Sequence, residues 1–207
     1  MQNIERIEKS NAYYDLFAMD VAARSQARDF SRALNAFRQR LTPGGLVIDI
    51  GCGTGEHLDW FAAHGVTAIG VEPSARMREI AGEKGHRVVN GAFESLGELG
   101  LPMADGIWCA ASLLHVPLEE ADAVLASLHR QCRAGGVFYA TVRLGEGAKW
   151  DRFDDEHAGA ERLIQLFSEP DLLARVAAAG FEVEESWVED STWGRPSRWL
   201  SFIARAA

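Results

Sequence analysis

The stretch LVIDIGCGTGEHLDW, Leu46 to Trp60, places glycine at positions 51, 53 and 55 directly behind a short apolar run that carries one acid, Asp49. Such a run suits a strand buried on both faces, and the residues from Glu56 to His64 read as the helix that follows it. Three alternating glycines let the chain turn sharply and bring bare backbone against a ligand. A strand, a tight glycine loop and a helix at the head of an alternating chain make a nucleotide-type site across the carboxyl ends of the strands.

The alternation continues beyond this unit. VTAIGVE (66–72) is a second strand, and PSARMREIAGEKG (73–85) reads as a capped helix before a third, HRVVN (86–90). Asp105 to Ala111 forms a fourth, and Ala121, Val124, Leu125 and Leu128 share one face of a helix that ends at RAGG (133–136). GGVFYATVR (135–143) is the fifth strand. A polar loop follows, then the helix SEPDLLARVAAAG (168–180) and two strands, FEVEESWVE (181–189) and RWLSFIARA (198–206). No crossover fits between those two, so the last strand is expected to be antiparallel. Upstream, two helices, Asn3 to Met19 and Asp20 to Arg40, run to a TPGG stop at 42–45. The expected fold is α/β: a Rossmann-like, doubly wound, seven-stranded sheet with an antiparallel last strand and helices on both faces. One domain is expected, with a helical cap over 1–41, a cofactor-binding core over 46–143, and substrate loops and C-terminal strands over 144–207.

With 207 residues the chain is long enough to bury one core without staples. Cys52, Cys109 and Cys132 make an odd set without C-x-x-C pairing, nothing at the N-terminus resembles a signal peptide, and charge or glycine interrupts every apolar run. A soluble, cytoplasmic protein without membrane contact is expected, a monomer or a homodimer. The formal net charge of −9 disfavours nucleic acid and favours a small-molecule partner. Neither cysteines nor histidines fall at usual metal-ligand spacings, so no metal is expected.

The loop and Glu72, about 20 residues further on and placed to accept ribose hydroxyls, would also suit a dinucleotide enzyme. The spacing separates the two readings. In G-x-G-x-x-G the third glycine lets pyrophosphate rest on the helix N-terminus; here that position is Glu56, poorly suited to pyrophosphate. S-adenosylmethionine has an adenosine and no phosphate, and its ammonium and sulfonium favour nearby carboxylates.

VIDIGCGTG (47–55), GVEPSARM (70–77), GAFESL (91–96), ADGIWCAASLLHVP (104–117) and LHRQCRAGGVFYAT (128–141) together resemble the class I S-adenosylmethionine-dependent methyltransferases, most closely their small-molecule branch. The resemblance is strong over Leu46 to Val142 and moderate over LFSEPDLLARVAAAGFEV (166–183). It departs from the family at Ala92, where an acid is usual. The resemblance implies S-adenosyl-L-methionine as donor and S-adenosyl-L-homocysteine as product. It implies that Asp49 faces the methionine amine, that backbone at Gly51, Cys52, Gly53 and Gly55 lines the cofactor, and that Glu72 holds the ribose. Ser74, Met77, Ala92 and Phe93 would surround the adenine and Ala110 would underlie the methionine portion. Tyr14, from the N-terminal helices with Tyr13, would close over the cofactor.

Methyl transfer needs an aligned nucleophile, exclusion of water and, where the acceptor carries a proton, a base. His115, after the fourth strand, is the candidate base, and it also reads as a turn-packing residue. The loop from Arg143 to His157 and the turn from Asp190 to Ser197 share the carboxyl edge. Their Arg143, Trp150, Arg152, Trp193 and Arg195 suit a flat or anionic acceptor. Methylation of oxygen, nitrogen or carbon fits equally. Alternative readings are a transfer-RNA-modifying methyltransferase and a non-catalytic adenosine-ligand module or nicotinamide oxidoreductase; Glu56 argues against the last.

Overall fold

The computed structural model describes residues 2–152, 160–191 and 196–207. Strands β1 (Leu46–Ile50), β2 (Thr67–Val71), β3 (Val88–Val89), β4 (Ala104–Ala110) and β5 (Cys132–Arg143) lie parallel, and β8 (Phe181–Ser191) and β9 (Ser197–Ala206) complete a seven-stranded sheet. Its order is β3-β2-β1-β4-β5-β9-β8, with β9 antiparallel to both neighbours. Helices α4 (Glu56–Ala63), α5 (Ala75–Glu83), α6 (Leu118–Gln131) and α7 (Glu169–Ala178) connect the strands. No described helix is long and apolar enough to cross a membrane.

Strand alternation builds two cores, because successive side chains point to opposite faces. Ile48, Ile107, Phe138 and Phe202 join one cluster, while their neighbours Val47, Trp108, Tyr139 and Ile203 join Phe37 and Phe61 in the other. All eight strand residues are at most 1 % exposed, which explains why these strands read as nearly unbroken apolar runs.

Two expectations need correction. The N-terminal region holds three helices, α1 (Gln2–Leu16), α2 (Ala18–Gln26) and α3 (Ser31–Arg40), instead of two. Phe17 is buried between the first two, and the Asp29 carboxylate accepts the Ser31 amide at 2.8 Å, offering the chain a local turn in place of a continuous helix. The polar loop after β5 is a hairpin for part of its length: β6 (Ala148–Arg152) pairs antiparallel with β7 (Glu161–Gln165). β6 is largely exposed, so it left no alternating pattern to read, whereas β7 buries Leu163 and Ile164 and offers the Leu163 amide to Ser10 of α1.

Candidate active site

The loop after β1 is tied to the end of β2, since the amides of Gly51 and Cys52 both donate to the Val71 carbonyl, at 2.7 and 3.2 Å. Gly51, Gly53 and Gly55 all have positive φ, +74°, +57° and +87°, a region that favours glycine. Their surroundings differ. A Cβ on Gly51 would sit 2.4 Å from Ser112 Cβ, and one on Gly55 would meet His86 and Ala81 at 3.1 and 3.2 Å. A Cβ on Gly53 would find only Met77 Sδ, at 3.8 Å. Gly51 and Gly55 therefore seat the loop, and Gly53 leaves backbone open toward the cavity.

Two buried acids stand behind it. Glu72 accepts the Gly53 amide through Oε2 and the Ser74 amide through Oε1, both at 2.9 Å. Burial raises its carboxyl to about 7 against the pull of those two bonds. Asp49 is 1 % exposed and its Oδ2 has no hydrogen-bond partner. Burial first, then Glu72 and Glu56, push its carboxyl well above the ordinary range. An orphaned carboxylate oxygen inside a cluster of mutually repelling acids fits a ligand that brings positive charge and hydroxyl donors, as S-adenosylmethionine does.

From this loop a cavity of about 900 Å³ runs across the carboxyl edge, within the size of small-molecule sites. Met77, Ala92 and Phe93 line its donor end, with Ala110 beneath. Arg28, Arg143, Asp190, Ser197 and Trp199 line its far end, and α1 roofs it with Ser10, Asn11 and Tyr14. The roof is pinned by polar contacts. Arg6 pairs with Glu94 and Glu120 at 2.6 and 2.9 Å, and the Ser74 hydroxyl, which caps α5 by accepting the Met77 amide, donates to Asp15 at 2.6 Å.

His115 stands under the roof, with both ring nitrogens engaged. Nδ1 lies 2.6 Å from the Leu163 carbonyl and must donate to it, which leaves Nε2 to accept the Tyr14 hydroxyl, also at 2.6 Å. Arg162 donates to the Tyr14 oxygen at 2.9 Å and pairs with Asp151 at 3.2 Å. Burial, with Arg162 nearby, lowers the imidazole to about 3, so the ring is neutral at physiological pH.

The structure brings Tyr14, Gly51, Cys52, Gly53 and Glu72 to one cavity together with Met77, Ala92, Phe93, Ala110, His115, Arg143 and Arg152. Asp49, Gly55 and Ser74 lie behind the lining, as structural support. Trp150 is not at the cavity: it is 42 % exposed, with Lys9 Nζ 4.3 Å from its ring, because the hairpin turns it outward. Trp193 and Arg195 lie outside the described residues. Arg28, Asp151, Arg162 and Trp199 were not singled out from the sequence. Trp199 was within reach of the edge argument, being two residues beyond Ser197; the other three carried no motif.

A family model described as a methyltransferase domain matches residues 22–186. The chain belongs to that family. Among curated relatives, an uncharacterized methyltransferase of Oceanobacillus iheyensis is 32% identical over 112 residues, 52% of each chain. A malonyl-[acyl-carrier protein] O-methyltransferase of Serratia marcescens is 33% identical over 125 residues, 55% of this chain and 46% of its own. The chain thus spans about half the length of the curated relatives it matches. Among solved structures, a Burkholderia thailandensis 1,6-didemethyltoxoflavin-N1-methyltransferase, with 1,6-didemethyltoxoflavin and S-adenosylhomocysteine bound, superposes with a TM-score of 0.70 at 22% identity, covering 100% of this chain and 90% of that one. The fold of this methyltransferase domain is the Rossmann-like one of the S-adenosylmethionine-dependent methyltransferases.

Proposed function

We propose that this methyltransferase domain transfers the methyl group of S-adenosylmethionine to a small organic molecule held in the same cavity. The observation that carries the reading is the continuity of the cavity, about 900 Å³, from the glycine loop to a far wall of arginine and tryptophan beneath the α1 roof. The Burkholderia neighbour, which holds a small heterocycle beside S-adenosylhomocysteine, supports it. A chain of net charge −9 has little attraction for a polyphosphate backbone.

Bound, the donor supplies a methyl carbon already activated by sulfonium. The chain's task is to hold, orient and keep dry. Asp49 and Glu72 favour the donor's positive charge and ribose, Gly53 lets backbone approach it, and Met77, Ala92 and Phe93 shape the adenine end. Arg143 and Arg152 face the acceptor; Trp193 and Arg195, outside the described residues, are offered for it on the sequence alone. His115 acts on the acceptor through Tyr14: its neutral Nε2 draws the Tyr14 proton inward and fixes that hydroxyl on the reaction face. Direct base action by His115 would require Tyr14 to release Nε2 first.

The test is a metabolite-extract assay with isotopically labelled methyl donor, the product identified by mass. Label in one low-molecular-weight compound is expected; label confined to transfer RNA would overturn the small-molecule reading. The His115→Asn variant separates its roles. Reduced turnover with unchanged S-adenosylhomocysteine affinity is expected, and loss of donor affinity alone would place His115 on the cofactor side.

A further inference from the structure

The arginines that line the cavity are mostly paired. Arg6 meets Glu94 and Glu120, Arg32 meets Glu185, Arg152 meets Glu161, and Arg162 meets Asp151. Arg28, in the break between α2 and α3, has no ion pair among the described residues. It has one hydrogen bond there, donated through Nη2 to the Thr141 hydroxyl at 3.2 Å. Its guanidinium packs 4.1 Å from the Trp199 ring centroid and 4.8 Å from that of Phe30.

These contacts hold the guanidinium and, among the described residues, engage only Nη2 of its fork. Thr141 is fully buried and also accepts the Ser201 hydroxyl at 3.0 Å, with the Tyr139 hydroxyl 3.2 Å further along. Trp199 is fixed by its indole N–H on Ser197 Oγ at 3.1 Å, and Arg143 approaches the same ring at 5.6 Å. A guanidinium stacked on an aromatic face keeps its in-plane donors available, and those donors match the two oxygens of a carboxylate. Glu189 and Asp190 line the same end and disfavour a dianion there.

We propose that Arg28, stacked on Trp199 and steadied by Thr141, anchors a carboxylate carried by the methyl acceptor. The inference rests on the small-molecule reading above and names the acceptor's chemical class. Single negative charge follows from one guanidinium without an ion pair among the described residues, next to two acids. Thr141 and Trp199, which hold the anchor, lie at the ends of β5 and β9, on the opposite side of β4 from the strands that carry the glycine loop and Glu72, and Arg28 reaches between them and His57.

The test uses the whole chain saturated with S-adenosylhomocysteine and ligand-observed nuclear magnetic resonance with three probes: 2-naphthoate, 2-naphthamide and 2-naphthyl phosphate. Naphthoate is expected to bind about tenfold more tightly than the amide, the scale of a charged hydrogen-bonded pair. Arg28→Gln should abolish that preference and leave S-adenosylhomocysteine affinity unchanged. Should Arg28→Gln fail to fold, Thr141→Val serves instead: it keeps the charge, loosens the guanidinium and should lower the preference several-fold. Equal binding of acid and amide, no binding of either, or a preference that survives Arg28→Gln would each overturn the proposal. Tighter binding of the phosphate would overturn the choice of a monoanion. Loss of S-adenosylhomocysteine affinity in Arg28→Gln would assign the guanidinium to the donor's carboxylate. In the labelled-methyl assay, a methylated small molecule derived from a neutral or cationic acceptor would defeat the carboxylate anchor alone, whereas label confined to transfer RNA would defeat the small-molecule reading itself.

Discussion

Donor binding should depend on pH through Glu72, and the size of the effect follows from its surroundings. In the free protein the carboxyl is raised to about 7 by burial, so it holds a proton at pH 6. A ribose whose hydroxyls donate to the anion requires that proton to leave. With the bound-state value at or below the ordinary 4.5, affinity falls roughly tenfold per unit below pH 7, or about 30-fold between pH 8 and 5.5. The folding linkage runs the other way. An acid whose folded value lies above its unfolded one stabilises the free protein least above pH 7, and that contribution, at most about 3 kcal/mol, returns as pH falls toward 4.5. Titration calorimetry with S-adenosylhomocysteine, repeated in buffers of different ionisation enthalpy, measures both the affinity and the proton released, about 0.9 per site at pH 6. Glu72→Ala should weaken binding by about 1.5 to 3 kcal/mol and flatten the profile. A pH-independent affinity with no proton release in the wild-type protein would refute the reasoning, because ligand binding would then not depend on ionising this carboxylate.

Gly51→Ala should cost both stability and S-adenosylhomocysteine binding, because the added carbon would fall 2.4 Å from Ser112 Cβ at φ +74°. Gly53→Ala should cost about 1 to 2 kcal/mol of stability from its φ alone and reduce affinity by projecting into the cavity; thermal unfolding and calorimetry on both variants check the contrast. Tyr14→Phe removes the bonds to His115 and Arg162, so a stability loss of about 1 to 3 kcal/mol and faster hydrogen exchange in α1 are expected, and unchanged exchange would show that the roof is held elsewhere. His57 is lowered to about 4 by burial and then by Arg28, so below pH 6.5 the unfolded chain takes the proton first and stability falls with pH. His57→Leu should flatten that decline in melting temperature between pH 6.5 and 4.

The donor half could be read from the sequence because its parts are local. One strand, one loop and one helix supply Asp49, the three glycines and Glu56, and the next strand ends one residue before Glu72, so the period of the pattern and the bulk at one position made the site legible. The antiparallel β9 was equally legible, since the connection between Ser191 and Ser197 is too short for a crossover. The hairpin was not, because exposed β6 is held by pairing with β7 and not by its own side chains. Trp150 followed from that error: in a free loop it could have turned inward, but as part of a strand it has one face to choose, and Lys9 covers it there.

The acceptor half has no such local signature, and charge explains what the chain gains from assembling it at a distance. Glu56 and Glu72 line one end of the cavity with Asp49 behind them, and their charges add to burial in raising the proton affinity of Asp49, which is costly in the empty protein and relieved by a cationic donor. Arg28 comes from the break between α2 and α3, Arg143 from the end of β5, Arg162 from β7 and Trp199 from β9. Each is an unremarkable residue in its own segment. The sheet order sets Arg143 and Trp199 side by side beyond β4, while Arg28 and Arg162 reach the same cavity from outside that sheet. Acids and guanidiniums set side by side would pair with each other; with Arg143 and Trp199 placed beyond β4 from Asp49 and Glu72, the acids are left to a cationic donor. The same separation lets methyl transfer change the donor end from cationic to neutral without requiring the guanidinium wall to move.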